Sequence, residues 1–124
     1  MKTAPRISES EWEVMKILWE ESPLTANQVI TRLSHTDWNH RTIRTLLSRL
    51  VRKKAAKFQS DGNHYVFFAR ISREDCIRHE SEGFLERVFN GEASPLLAHF
   101  VQYTNLPARE IQKLRSILEK KATS

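Results

Sequence analysis

With 124 residues the chain is long enough for one good core, or for a small head with an appended arm. Its net charge of +5 is lopsided: residues 1–70 hold 12 Lys/Arg against 7 Asp/Glu, and residues 71–124 hold 8 against 8. The single cysteine, Cys76, excludes an internal disulfide and a four-thiolate zinc site, and apolar runs such as Val66–Ala69 are far too short to span a bilayer. The polar start Met-Lys-Thr-Ala-Pro-Arg lacks the apolar region of a signal peptide. A soluble chain in a reducing cytoplasm, with no membrane insertion, is the expectation.

Ser8 followed by Glu11 reads as a capping box that opens a first helix, with Ile7 as its hydrophobic staple and Trp12, Met15, Leu18 and Trp19 as its buried face. Ser22-Pro23 stops it, because proline disfavours helix at the residue before it. Thr25 with Gln28 makes a second capping box, and Val29, Ile30 and Leu33 are the apolar face of a second helix. A polar connection from Ser34 to Trp38 leads to Asn39, the cap of a third helix. Its stripe of Ile43, Leu46, Leu47, Leu50 and Val51 has the spacing of a helix docked on a core. Then the period changes: Phe58, Ser60-Asp61-Gly62-Asn63 and Tyr65-Val66-Phe67-Phe68 read as strand, turn and strand, with Asp-Gly supplying a positive φ. Three helices followed by a β-hairpin is the order of a winged helix-turn-helix, the hairpin being the wing.

Beyond a boundary near Arg70–Ser72, Ser72 with Asp75 starts a longer helix to about Asn90, with Ile77, Phe84, Leu85, Val88 and Phe89 on its apolar side and Gly91 as a left-handed stop. Ser94-Pro95 opens a short helix through Leu96, Leu97, Phe100 and Val101. Pro107 sits where a first helical turn tolerates it, and the last helix carries Ile111, Leu114, Ile117 and Leu118 before Lys120-Lys121. Three helices with wide apolar faces and no sheet cannot bury everything in so thin an arm, so packing against a second copy is the economical solution. The fold class expected is therefore mainly α: a winged-helix head over residues 1–70 and a three-helix dimerisation domain over residues 71–124.

Between Asp37 and Asp61 no acidic residue occurs, while Arg41, Arg44, Arg49, Arg52, Lys53, Lys54 and Lys57 all fall in that window. A helix facing only water would mix in Glu or Asp for i,i+4 pairing. This one excludes them, as a helix lying against phosphates should. Arg41, Arg44 and Arg49 can fork onto guanine edges or phosphates, and Thr42, Thr45 and Ser48 are small enough to let the helix sit deep in a groove. Arg52 continues that face. Lys53, Lys54 and Lys57 lie at its far end, where backbone contact is expected. Arg44 flanks the apolar stripe and has a second option, pairing with Glu20 or Glu21. In the hairpin tip, Asn63 and His64 can touch a phosphate or the minor groove, or form a plain exposed turn.

Other chemistry finds less support. Trp12 and Trp19 lie seven apart on one helix face, which is core spacing, and Trp38 is placed to staple the entry of the third helix. Cys76 and His79 are i,i+3 on one helix, but a metal site needs a third ligand and no Cys-x-Cys appears. There is no Gly-rich phosphate loop, no Gly-x-Ser-x-Gly and no His-Glu-x-x-His. No enzyme, metal or cofactor is expected.

Three segments carry a family resemblance: Ile7-Ser8-Glu9-Ser10-Glu11-Trp12-Glu13-Val14-Met15, Thr42-Ile43-Arg44-Thr45-Leu46-Leu47-Ser48-Arg49-Leu50, and Phe89-Asn90-Gly91. Over nearly its whole length the chain resembles the BlaI/MecI/CopY family of penicillinase and methicillin-resistance transcriptional repressors. That resemblance implies a homodimeric winged-helix repressor on dyad-symmetric operators upstream of resistance-type, β-lactamase-like genes. It also implies a membrane metalloprotease sensor that triggers cleavage in the dimerisation domain, before a phenylalanine and most often after asparagine. The matching stretch is Leu96-Leu97-Ala98-His99-Phe100-Val101, so the bond would be His99–Phe100, with histidine in the asparagine's place. Copper-responsive members carry C-terminal Cys-x-Cys pairs, whereas this chain ends Glu-Lys-Lys-Ala-Thr-Ser, which argues against copper sensing by that route.

The expected partners are thus double-stranded operator DNA, a second copy and that sensor. Two alternatives stand beside this reading. One is a winged-helix regulator released from DNA by a small ligand bound between head and arm. The other is a protein-interaction module whose basic helix docks an acidic partner.

Overall fold

The computed structural model describes residues 5–124, which divide after Ser81 into two compact units. In the first, α1 (Glu9–Glu20) and α2 (Ala26–Arg32) precede α3 (His40–Arg52), and the hairpin strands β2 (Ala56–Asp61) and β3 (His64–Ala69) follow. Both expected capping boxes form: Ser8 and Thr25 accept from the backbone of Glu11 and Gln28, whose side chains accept in return from the cap N–H groups. Asn39 Oδ1 accepts from Thr42 N at 2.8 Å. Ile7 and Trp38 each stand one residue before a cap, the staple position, and both join the core.

One strand escapes the sequence pattern. Leu24–Thr25 forms β1, which pairs antiparallel with β3 through Leu24↔Phe67 and Thr25↔Val66, so the sheet runs β1-β3-β2. Two residues carry no periodicity to read, and only the fold brings them to the sheet edge. The hairpin is closed by Gly62-Asn63, flanked by the pair Asp61↔His64. Gly62 has φ +69° and Asn63 has no positive φ, the pattern of a type II′ turn with glycine first.

The core gathers Val14, Met15 and Leu18 from α1, Val29 and Ile30 from α2, and Ile43, Leu46, Leu47 and Leu50 from α3. Trp12 and Trp19 line its edge in an edge-to-face pair, ring centroids 5.3 Å apart, and the Trp19 indole N–H donates to the Ile71 carbonyl at 2.9 Å. The start of α4 (Arg73–Phe89) belongs to this unit as well: Cys76 is buried with the core, so the compact head extends past Arg70 into that helix.

Residues 82–124 hold the rest of α4, α5 (Ala93–Tyr103) and α6 (Ala108–Ala122). Helix α4 ends in two left-handed residues, Asn90 and Gly91, and Gly91 N donates to Leu85 O. Pro107 stands at the N-cap of α6 rather than within its first turn; its carbonyl takes the N–H groups of Glu110 and Ile111. The missing proline N–H leaves no orphan donor at either position, which is why spacing alone does not separate them.

Candidate nucleic-acid interface

Helix α3 buries one face in the head core and turns Arg41, Arg44, Thr45, Ser48, Arg49 and Arg52 to solvent. Together these six line an open groove of about 660 Å³. Thr42 is half-buried behind the Asn39 cap, so it sits at the margin of the groove. The arrangement offers guanidinium forks beside two hydroxyls, donors suited to phosphate oxygens and guanine edges, with no carboxylate among the lining residues.

Arg44 pairs with neither Glu20 nor Glu21. Its Nη2 donates instead to Asn27 Oδ1 on α2 at 2.8 Å, and Glu21 is engaged by Arg32. The acidic end of α1 is only the second option that the sequence leaves for Arg44, and the docking of α2 on α3 supplies a different partner in Asn27.

Lys53, expected among the backbone contacts, is held by the head. Its ammonium bonds Glu11 Oε1 at 2.6 Å and the Arg6 carbonyl at 2.9 Å. Glu11 is 1% exposed and is the one buried charged residue of the described core. Burial alone would raise its carboxyl pKa; the Lys53 hydrogen bond and charge, with the Ser8 backbone and hydroxyl, outweigh this and hold it below its ordinary 4.5. The sequence spacing signals only the capping half of this role, because Ser8 stands three positions from Glu11 and Lys53 stands 42.

Next to Lys53, Lys54 adopts φ +68° at the end of α3. The N–H groups of Lys54 and Ala55 return to the Val51 and Leu50 carbonyls, which makes a Schellman stop with lysine where glycine is usual. Ala55 O then accepts from Arg70 N at 2.8 Å and Ile71 N at 3.3 Å, clamping the base of the hairpin to the end of α3. Asn63 and His64 project at the exposed tip. Lys57 leans over the Phe68 ring, 5.5 Å from its centroid.

The residues expected to dimerise lie in the other unit, except Ile77, which is exposed on the head's portion of α4. None of the described residues 82–124 is buried. Phe84, Val88, Leu97, Phe100, Ile111, Leu114, Ile117 and Leu118 are exposed, and Leu85 and Phe89 are half-buried. Val101, Leu106, Ile111, Leu114 and Leu118, with Arg115, Glu119 and Ala122, border an apolar groove of about 410 Å³. His99 and Phe100 fall well inside α5, and the His99 ring lies 4.9 Å from that of Tyr103. Cys76 points into the core, its thiol pushed up to about 11 by burial and by Asp75 and Glu80. No group of three metal-binding side chains is found among the described residues, and no helix there is long and apolar enough to cross a membrane.

Residues 7–120 match the family model described as penicillinase repressor. The chain belongs to the penicillinase repressor family. It is 38% identical over 120 residues to the penicillinase repressor of Bacillus licheniformis, covering 96% of this chain and 94% of that one. It is 34% identical over 116 residues to the methicillin resistance regulatory protein MecI of Staphylococcus aureus strain N315, covering 93% and 94%. Among solved structures, the monomeric form of Bacillus licheniformis BlaI in complex with the blaP half-operator matches with TM-score 0.53 and 41% identity, over 60% of this chain and 93% of that one. The family is one of transcriptional repressors, not of enzymes.

Proposed function

We propose that this protein is a homodimeric, cytoplasmic repressor that reads a dyad-symmetric operator of resistance-type genes with α3. The observation that carries the reading is the acid-free groove of Arg41, Arg44, Thr45, Ser48, Arg49 and Arg52 on a helix whose other face is locked in the core. A rigid helix of this kind can enter a major groove without paying for ordering, and its arginines can meet bases and phosphates together. The relative solved on a half-operator supports the same use of the fold.

The unburied apolar faces of residues 82–124 support a second copy as their cover, with the groove beside Leu114 as a seat for the partner's α6. Two heads then read two half-sites about one helical turn, or a small multiple, apart. If each protomer makes roughly four cationic phosphate contacts, the dimer's log K should fall with log[salt] with a slope of about −7.

Derepression by cleavage at His99–Phe100 would detach α6 and with it Ile111, Leu114, Ile117 and Leu118. The bond lies in a formed helix, so a protease must first open α5 locally. Mass spectrometry of the repressor from induced cells should find a fragment ending at His99; intact protein at full induction removes this step.

The reading as a whole is tested by mobility-shift titration of the chain on DNA from its own upstream region, with random DNA as competitor. Selective binding that weakens steeply with salt is expected. Equal, weak binding to both DNAs across candidate operators would leave α3 as a dock for some other acidic partner.

A further inference from the structure

The groove arginines are not equivalent. Arg41, Arg49 and Arg52 have no side-chain hydrogen bond or ion pair among the described residues, whereas Arg44 is tied to Asn27 at 2.8 Å. Asn27 is a stable post. It stands in the first turn of α2, fixed by the Thr25–Gln28 capping box, and α2 is anchored by Val29 and Ile30 in the core.

The chemistry of the bond is one-sided. A guanidinium has donors and no acceptor, so the amide must present Oδ1 to it. Only one of five N–H donors of Arg44 is used in this way, and the rest stay free for a base or a phosphate. An arginine left loose in water must give up rotamer freedom to make a forked contact; one already held gives up less. Because both side chains are exposed, the bond adds little to folding, and its consequence lies in recognition.

We propose that Asn27 is a positioning residue for base recognition, holding the Arg44 guanidinium in reading orientation and so setting selectivity at the base pair that Arg44 meets. This rests on the reading of α3 as the operator-binding helix. It places a determinant of specificity outside the reading helix, at a residue whose own side chain need not touch a base.

The test is a mobility-shift series with the full chain on the cognate operator and on operators substituted symmetrically at each base pair of the half-site. Asn27→Ala should weaken cognate binding by about 3- to 10-fold, a fraction of the loss expected for a whole forked contact. It should flatten the preference at the same base pair that Arg44→Ala flattens, with thermal melting, salt slope and affinity for random DNA unchanged. Asn27→Asp, which keeps an acceptor oxygen for Arg44, should retain that base preference. Asn27→Ala combined with Arg44→Ala should bind no more weakly than Arg44→Ala alone. An Asn27→Ala protein that keeps the full base profile, or losses that simply add in the double variant, would overturn the proposal. Failure of α3 as reader is distinguishable, since the wild-type chain would then show no preference at any base pair; that outcome overturns the proposal too.

Discussion

The two units of this chain solve the burial problem in opposite ways. In the head, helices α1 to α3 and a three-stranded sheet enclose a continuous set of aliphatic side chains, and the one buried carboxylate has a lysine against it. In residues 82–124 no described side chain is buried, although the segment is rich in Phe, Leu, Ile and Val. The head has what a unit needs to fold around itself, while the second unit has apolar faces that want a cover. Their charges divide in the same way, with the excess of cations on the first 70 residues and none on the remainder. One region carries a rigid basic helix face suited to a polyanion, and the other carries unburied apolar faces with little net charge, the feature on which the proposed pairing with a second copy rests.

The largest effect expected from breaking this contrast is in the second unit. Leu114→Asp places a charge in the apolar groove beside α6. It should abolish self-association in sedimentation and lower operator affinity on the order of 10²–10⁴-fold through lost avidity, while the near-UV signature of the head persists. A Leu114→Asp protein that stays dimeric would move the interface elsewhere.

In the head the sensitive point is the Glu11–Lys53 pair. Lys53→Met leaves a buried carboxylate without its cation and should destabilise the head by about 3–5 kcal/mol in denaturant unfolding. Glu11→Gln should cost less, because Lys53 is partly exposed at 36% and can turn to water. The pH dependence has a definite sign. Since the folded pKa of Glu11 is lowered, its contribution is fully present above the unfolded value near 4.5 and is lost as pH falls through the folded one. The stability gap between wild type and Glu11→Gln should therefore close on acidification below that range; a gap that stays constant would assign the effect to packing.

Next come the groove arginines. Arg41→Ala or Arg49→Ala should each weaken cognate binding by on the order of 1–3 kcal/mol and leave stability nearly untouched. Unchanged affinity in both would remove α3 as the reader.

Much of the head was legible from residues alone. Capping boxes at Ser8 and Thr25, the Asn39 cap, the aliphatic stripe of α3 and the glycine turn are local signals, each decided by residues within a turn of one another. What escaped is non-local. The two-residue strand Leu24–Thr25 exists only because β3 lies beside it, and the Arg44–Asn27 bond spans 17 positions. The link from Lys53 to Glu11 spans 42, and periodicity gives no hint that a lysine at the end of a basic face turns back into the fold. A run of like charges shows which way a helix faces, but not which of its members are already bound.

Lys54 makes the finest test of the contrast between folding and binding. It holds φ +68° in the Schellman stop of α3, a conformation that glycine adopts without strain and lysine does not. Lys54→Gly should therefore stabilise the head by roughly 0.5–1 kcal/mol in thermal or denaturant unfolding. If the ammonium also meets a phosphate, the same substitution should weaken DNA binding evenly across sequences and make the dimer's salt slope shallower by about 2, one contact from each protomer. Stabilisation with an unchanged slope would make Lys54 a tolerated misfit of the turn. Stabilisation with a shallower slope would show a backbone strain kept in the head for the sake of the charge it carries.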